Sequence, residues 1–242
     1  MPETSVEKQQ KQQKTALGST TGSEATREAL IAAALDLFGA NGFDATSTRE
    51  IASRAEANIA SIAYHFGGKE GLRKACAQSV RSQIDAIMAS AFARSSPAIA
   101  QPARPDIAAN MLEVIMGHVV RAVLISPDAA RFVPFVLREI NGHSPVLDTL
   151  YRDVMEPTHR RLCALWGAAI GAEPESEAVR LAVFAMVGQI IYFRIGSQIV
   201  TRRMGWSDYA ASEADQIADT VCANLRASLQ MYKTTDTGKE RP

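Results

Sequence analysis

Apolar residues recur at helical spacing along most of the chain, and this periodicity constrains the fold more than any other feature of the sequence. Ile31, Leu35 and Phe38 stand at positions i, i+4 and i+7, the spacing of one helix face. Pro134 and Pro157 fall inside later periodic segments, which they should kink or interrupt. Those later segments predict helices at about 106–125, 128–140, 145–170, 175–203 and 209–232. Because no run alternates strictly between apolar and polar residues, the sequence predicts an all-α fold of about nine helices.

The charge balance gives no overall preference for a nucleic-acid partner. Lysine and arginine total 26, as do aspartate and glutamate, so the formal net charge is zero. Any claim of DNA binding must therefore rest on a local pattern of residues. Hydrophobic residues make up 47% of the chain, which is enough for a folded core.

The sequence predicts a cytoplasmic protein without membrane contact. The first residues are polar and contain no apolar segment typical of a signal peptide. The most apolar window, residues 179–200, contains Arg180, Gln189, Arg194 and Gln198, which argues against a membrane span.

The chain divides by composition into a small head and a larger body. Residues 1–23 are almost devoid of apolar side chains and are expected to form a disordered tail. A head at 24–78 and a body at 79–232 follow, with a proline-rich loop at 95–105. We expect the last residues, 233–242, to form a flexible tail.

Two short helices joined by a tight turn are predicted within residues 46–66. Ser47 and Glu50 have the spacing of a capping box, and Asn58 suits the start of the second helix. The preceding long helix should end at Asn41-Gly42, after which Phe43 can pack back on Phe38. This is helix-turn-helix geometry, in which the second helix lies in the major groove of DNA.

The candidate DNA contacts lie on or beside these two short helices. Small residues at the start of the second helix would let the backbone approach the bases closely. Tyr64 and His65 can donate hydrogen bonds to phosphate, and Lys69 adds a positive charge at the next helix N-terminus. His65 could instead be a packing residue, and Arg49 and Arg54 only solvated charges. The full set is Thr48, Arg49, Asn58, Ile59, Ala60, Ser61, Tyr64, His65 and Lys69.

Residues 26–76 resemble the DNA-binding domain of the TetR family of regulators. The matching segments are Arg27 to Leu30, Ala34 to Phe38, Asn41 to Ser47, Ile51-Ala52 with Ala55, Tyr64 to Phe66, and Lys69 to Leu72. The resemblance implies a two-fold dimer that binds a pseudo-palindromic operator and leaves it when a small molecule binds. Glu56 stands where the family usually has glycine, and Ala63 and Gly68 replace a common tyrosine and serine.

A second resemblance, to the CecR-like regulators, covers part of the body. Their motifs are similar to Arg138-Glu139, Ser144-Pro145, Tyr151 and Pro157-Thr158-His159. This resemblance implies control of efflux or transport genes, but it does not carry over an effector.

The body should hold an apolar effector pocket with a few convergent polar groups. Each candidate could equally be an ordinary core or surface residue. The candidates are His118, Arg121, Phe132, Phe135, Glu139, His159, Tyr192 and Arg194.

The last two long helices are expected to mediate dimerisation. Their apolar residues recur at i, i+4 and i+8, and in the resembled family these helices pair with their copies in a four-helix bundle. One of the two stripes could instead be intramolecular core. The stripes are Val183, Val187, Ile191 and Ile195, and Ile217, Val221, Leu225 and Leu229.

The sequence points to a ligand-responsive transcriptional repressor rather than an enzyme. It contains no HExxH motif, no phosphate-binding glycine loop and no nucleophile elbow, and we expect no metal and no cofactor. Cys163 lies one helical turn from His159, but spacing alone does not make a nucleophile. The alternative is a helical small-molecule-binding or protein-interaction module without DNA-binding activity, and scattered positive charges on the head would favour it.

Overall fold

The structure, a computed structural model, describes residues 5–94, 104–142 and 144–236. These residues form eleven α-helices and one π-helical turn and contain no β-strand, which confirms the all-α prediction. The helices are α1 (Ser5–Asn41), α2 (Thr48–Arg54), α3 (Ala60–Phe66), α4 (Lys69–Arg94), α5 (Pro105–Ile125), α6 (Pro127–Asn141), α7 (Leu147–Leu150), α8 (Glu156–Ile170), α9 (Glu177–Ile195), α10 (Ser197–Met204) and α11 (Ala211–Asp236), with the π turn at Tyr151–Met155 between α7 and α8.

Two breaks in the body explain why the helices outnumber the expected nine. The helix expected at 145–170 is interrupted by the π turn, which ends at Met155, two residues before Pro157. Proline lacks the backbone N–H that a regular helix needs and its ring crowds the preceding turn, so the irregularity falls there. The helix expected at 175–203 breaks at Gly196, a poor helix former.

The N-terminal segment differs from the expected disordered tail. Helix α1 begins at Ser5, so residues 5–23 are helical rather than irregular. Glutamine and lysine are good helix formers. Their helix propensity therefore allows residues 5–23 to extend the helix, whose apolar face begins only further along the chain. The helix α11 likewise continues to Asp236, into the segment expected to be a flexible tail. The expected loop at 95–105 lies almost wholly outside the described residues.

The chain divides into two compact units, and one segment belongs to the unit where it was not expected. The first unit comprises residues 1–79 and 134–142, and the second comprises residues 80–133 and 143–242. Helices α4 and α6 each continue from one unit into the other. Residues 134–142, expected in the body, join the first unit because Phe135 packs there, with its ring centroid 6.4 Å from that of Phe38.

The core of the first unit is built from one apolar face of each of its helices. Phe38 also contacts Phe43, at 5.4 Å between ring centroids, as the helix stop at Asn41-Gly42 predicts. Gly39 lets α6 approach α1, since a Cβ atom there would lie 3.0 Å from the Cβ of Pro134. The fully buried residues include Leu30, Ala34, Phe38, Ile51, Ile62, Leu72 and Phe135.

The core of the second unit lies among α5, α8, α9 and α11. Its largest fully buried side chains include Met111, Ile115 and Trp166. The α11 stripe from Ile217 to Leu229 is buried in this core, so it is intramolecular rather than a free dimer surface. This was one of the two alternatives left open by the sequence.

Helix α9 carries an exposed apolar stripe that differs from the one expected. A spacing of four residues advances about 40° per step around a helix, so the expected stripe passes from buried Val183 to exposed Ile195. The residues that are exposed on one face are Leu181, Ala185, Gly188, Tyr192 and Ile195, hereafter the α9 face. By length and composition alone, α5 and α9 are apolar enough to cross a membrane, and α5 is accounted for by its place in the core.

The turn between α3 and α4 leaves no space for a side chain at Gly71. A Cβ atom at Gly71 would overlap the carbonyl oxygen of Phe66, a backbone atom that cannot turn aside. We therefore expect Gly71→Ala to displace α3 against α4 and to lower the free energy of unfolding by about 1–3 kcal/mol. Chemical denaturation followed by circular dichroism measures this change.

The matched control is Gly22→Ala, because a Cβ atom at Gly22 meets nothing within 4 Å. The control should leave stability unchanged or raise it by up to about 1 kcal/mol. Equal stability of the two variants would contradict the overlap at Gly71.

Candidate nucleic-acid interface

A capping box fixes the start of α2. The backbone N–H of Glu50 donates to Ser47 Oγ at 3.2 Å, and the backbone N–H of Ser47 donates to Glu50 Oε2 at 2.7 Å. These hydrogen bonds, with a smaller contribution from the charge of Lys69, hold the pKa of the Glu50 carboxyl below its usual value. The hydrogen bond from the Ser47 N–H to the Glu50 carboxylate is therefore at full strength at neutral pH and weakens only as the pH falls through that lowered pKa.

The turn between α2 and α3 is tight and contains one strained residue. Glu56 has a φ of +52°, in the left-handed region that disfavours side chains, where the resembled family usually has glycine. The N–H of Ala57 donates to the carbonyl of Ala52 at 2.9 Å, which closes the turn over the end of α2. The turn therefore carries backbone strain at Glu56, of order 1 kcal/mol.

The helix α3 buries one of its seven residues, exposes three and leaves three half-buried. Ile62 is buried beneath the helix. Asn58 caps it by accepting a hydrogen bond from the N–H of Ala60 at 2.9 Å, although the helix begins one residue later than expected. The exposed residues at this end of the unit are Asn58, Ile59, Ala60, Ala63 and Tyr64, while Ser61 is half-buried.

Tyr64 and His65 differ in how freely they can reach a ligand. Tyr64 is 81% exposed, so its hydroxyl is accessible to a partner outside the chain. His65 is half-buried, and its ring lies edge-on to Tyr64 and against Phe66, with centroid distances of 4.9 and 5.9 Å. The geometry gives His65 a packing role, which does not exclude donation to phosphate from its ring.

The positive charges of the first unit fall into two groups. Arg54 is paired with Asp36 at 2.9 Å, and Arg27 with Glu24 at 3.4 Å. Among the described residues, Arg49 and Lys74 form no ion pair, and both are exposed.

Lys69 has an aromatic neighbour rather than a carboxylate. Its ammonium nitrogen lies 4.2 Å from the ring centroid of Phe43. Such a contact leaves its donors able to face an anion. Thr48, the remaining candidate, occupies the first position of α2 and is half-buried.

Comparison with known proteins identifies the family. The model of bacterial regulatory proteins of the tetR family matches residues 30–76, and that of the C-terminal domain of the HTH-type transcriptional dual regulator CecR matches residues 108–231. The dual regulator CecR of Shigella flexneri is 33% identical over 213 residues, which are 87% of this chain and 94% of that protein. The chain belongs to the TetR family. Its C-terminal domain is of the CecR type.

Other relatives agree with this assignment. The regulatory protein RaaS of Mycobacterium tuberculosis is 26% identical, over 83% of this chain and 87% of its own length. Two solved structures share the fold. A transcriptional regulator of Pseudomonas aeruginosa PAO1 has a TM-score of 0.59 at 15% identity, over 85% of this chain and 93% of that one. AibR, solved with isovaleryl coenzyme A and operator DNA, has a TM-score of 0.56 at 17% identity, over 83% of this chain and 97% of that one.

The Arg138-Glu139 pair of this TetR-family chain lies in the first unit. The side chain of Glu139 is 3% exposed and that of Arg73 on α4 is 12% exposed, and they form an ion pair at 2.9 Å. Arg73 Nε also donates to both carboxylate oxygens of Glu139, and its guanidinium lies 4.2 Å from the ring centroid of Phe43.

Arg138 binds the end of a different helix. It donates to the carbonyls of Gly39 and Ala40 at 3.3 and 2.7 Å, near the C-terminus of α1. A cation suits this position because the last carbonyls of a helix lack internal donors. We call Arg73, Arg138 and Glu139 the clamp, because together they bind the end of α6 to α1 and α4.

The eight candidate effector residues do not converge on one site. Glu139 belongs to the clamp, Phe132 and Phe135 are buried, and Tyr192 is exposed on the α9 face. Arg194 donates to the carbonyl of Leu124 at 3.3 Å. The remaining three, His118, Arg121 and His159, line two separate cavities.

The larger cavity is an open groove of about 920 Å³ along α5 and α11. His118 and Arg121 line it, together with Glu113 and Arg226. Arg226 pairs with Glu113 at 2.6 Å and Arg121 with Asp215 at 2.6 Å, so both arginines already have carboxylate partners.

The sequence did not indicate a functional role for Arg73, because its partner lies 66 positions along the chain. Only the resemblance, which marks Arg138-Glu139, could have drawn attention to this pairing. Nor did the sequence indicate a role for Arg180 and Phe184, which line the smaller cavity with His159.

Removal of the buried carboxylate should destabilise the first unit. In Glu139→Gln the guanidinium of Arg73 stays buried without a counter-charge, which should lower the free energy of unfolding by about 3 kcal/mol or more. The double variant Arg73→Met/Glu139→Leu should recover much of that loss, because no buried charge remains. Urea denaturation compares these variants.

The matched control is Glu24→Gln, which removes the partner of Arg27 at the surface. Its effect should stay within about 1 kcal/mol, since the side chains of Glu24 and Arg27 are 60% and 36% exposed. A Glu139→Gln protein as stable as this control would show that the clamp contributes little.

Proposed function

We propose that this TetR-family regulator represses transcription as a homodimer on a pseudo-palindromic operator, which it leaves when a small molecule binds the second unit. The observation that carries the proposal is the exposed outer side of α3, held by the capping box of α2 and the tight turn at Glu56. That surface has no partner within the described part of the chain, although it includes Ile59 at 49% and Tyr64 at 81% exposure.

The exposed residues divide into base-reading and phosphate-binding groups. Asn58, Ile59 and Ala60, with Ser61 beside them, stand at the N-terminal end of α3, the part of a recognition helix that reaches base edges. Tyr64 and Lys69 supply a hydroxyl and an ammonium for phosphate, and Arg49 with Thr48 a second point of contact. Phosphate contacts position the protein and base contacts choose the sequence.

The α9 face supports a dimer of identical chains. It is an apolar stripe on a helix whose other side packs into the core, and Gly188 at its centre would allow two helices to approach closely. Asn224 of α11 donates to Gln189 at 2.9 Å, so α11 borders the same face. An isologous dimer through α9 and α11 would present two recognition helices to successive turns of DNA.

Effector binding would act through the two helices that the units share. Because α4 and α6 continue from the second unit into the first, a change in the second unit can be passed to the clamp. The effector must bind one state of the dimer more tightly than the other. AibR, which shares the fold, is known with both isovaleryl coenzyme A and operator DNA, and this supports an effector of some kind here.

The first experiment is a mobility shift with the upstream intergenic DNA of the gene, at two salt concentrations. Tyr64→Phe removes one hydroxyl and should weaken binding several-fold, and Lys69→Ala should weaken it and also reduce the salt dependence. Arg202→Ala is the matched control for the lysine, because Arg202 is exposed and belongs to the second unit.

Absence of selective binding, to that DNA and to genomic fragments, would sink the repressor proposal. It would leave the alternative of a ligand-binding or protein-interaction module. A dimer would carry twice as many cations as one chain, but these cations bind any DNA sequence. They would therefore not explain a lack of selectivity, which depends on contacts with the bases.

The dimer proposal is tested by Gly188→Arg. A Cβ atom at Gly188 meets nothing within 4 Å, and arginine favours a helix over glycine, so the fold of the protomer should be retained. The charged side chain should convert the dimer to monomers and remove operator binding. Sedimentation velocity measures the mass, and circular dichroism checks the fold.

Gly22→Arg is the matched control, since Gly22 also stands in open space. It should remain dimeric. A Gly188→Arg protein that is still dimeric would place the interface elsewhere.

A further inference from the structure

A small cavity beside the π turn brings together motif residues that the DNA-binding function does not use. The cavity, of about 210 Å³, lies within the second unit among the π turn, α8 and α9. Tyr151 and Met155 of the π turn line it, with His159 of α8 and Arg180 and Phe184 of α9. Turns of π-helix inside α-helices occur frequently at functional sites.

The ring of His159 is fixed as a wall of this cavity. Its Nε2 lies 3.2 Å from the carbonyl of Arg180, which can only accept, so Nε2 carries the proton. Its Nδ1 then accepts from the thiol of Cys163 at 3.5 Å. Burial raises the pKa of that thiol, which keeps its proton in place.

Phe184 stacks on this fixed ring. The ring centroids of His159 and Phe184 are 4.0 Å apart with an interplanar angle of 28°. Phe184 is nevertheless 61% exposed, and Tyr151 is 54% exposed, so aromatic surface remains available at the cavity. A planar ring is the ligand group that such surface stacks with.

The charges of the cavity leave one cation without a partner. Arg160 pairs with both carboxylates, at 2.9 Å with Glu156 and at 3.3 Å with Glu175. Among the described residues, the guanidinium of Arg180 forms no ion pair and no side-chain hydrogen bond, and the hydroxyl of Tyr151 forms none either. The cavity therefore offers two hydrogen-bond donors without a partner among the described residues, the positively charged guanidinium of Arg180 and the hydroxyl of Tyr151.

The open donors and the aromatic surface select the same class of ligand. A guanidinium binds a carboxylate through two parallel hydrogen bonds, and a phenol hydroxyl can add a third. At the density of liquid water the cavity would hold about seven water molecules, which is space for one ring with its acid group. We propose that this cavity binds a small aromatic carboxylate, with the carboxylate on Arg180 and Tyr151 and the ring against Phe184.

This proposal rests on the proposed function for its consequence, because the bound acid is then the effector that releases the operator. The ligand would hold together the π turn and α9. The clamp residues Arg138 and Glu139 and the cavity residues Tyr151 and His159 all lie within residues 138–159. Only about twenty positions of the chain would thus separate the clamp from the effector site.

The test is a titration of the full-length protein with benzoate in the absence of DNA, and ligand-detected NMR measures the binding. Benzoate should bind at least about tenfold more tightly than benzamide, its neutral analogue, and than acetate, which lacks the ring. Arg180→Gln should weaken benzoate binding about tenfold or more, and Arg180→Lys should restore part of it. Arg202→Gln, an exposed arginine outside the cavity, should have no effect.

Equal binding of benzoate and benzamide, an unchanged affinity in Arg180→Gln, or no binding of benzoate would each overturn the proposal. A mobility shift with benzoate separates this result from the proposed function. If the protein binds its operator but benzoate does not bind the protein, only the cavity assignment fails. If benzoate binds through Arg180 but no DNA is bound selectively, the proposed function fails and the site remains.

Discussion

The ion pair between Arg73 and Glu139 is the contact on which the architecture of the first unit depends. Both side chains are removed from water, at 12% and 3% exposure, so each charge is acceptable only because the other is present. A buried pair of this kind adds little to stability compared with an apolar core, but loss of either partner leaves an uncompensated buried charge. The pair therefore favours the arrangement in which residues 134–142 lie against α4.

The other contacts of that segment reinforce the same arrangement. Arg138 satisfies carbonyls at the end of α1, and Gly39 provides the space for Pro134 to approach. Phe43 lies under both Arg73 and Lys69, so one ring orients a structural cation and a DNA-binding candidate. A displacement of the end of α6 would consequently be felt at Lys69 and at the start of α4.

Local signals in the sequence predicted the parts of the structure that depend on local physics. The capping box at Ser47, the helix stop at Gly42 and the disruption before Pro157 are all present, because each depends on residues within one or two turns. The DNA-binding candidates lie close in the chain for the same reason, on or beside two short helices separated by one turn. By contrast, the placement of residues 134–142 in the first unit depends on partners 66 to 99 positions away, which no periodicity encodes. The choice of exposed stripe on α9 also failed, because a spacing of four residues drifts around the helix and does not follow one face.

The partners of the arginines show how the chain with zero net charge uses its positive charges. Arg27, Arg54 and Arg73 each face a carboxylate, so much of the positive charge of the first unit serves its own structure. The cations left for phosphate are few, with Arg49, Lys69 and Lys74 the available ones on the described surface. Since each neutralised phosphate contributes only one step of counterion release, a single head of this kind would hold DNA weakly at physiological salt. Selective binding then has to come from contacts with the bases in addition to these cations. Among the described residues, so few cations of the first unit are free that electrostatic attraction alone cannot account for selective DNA binding by a regulator of this family.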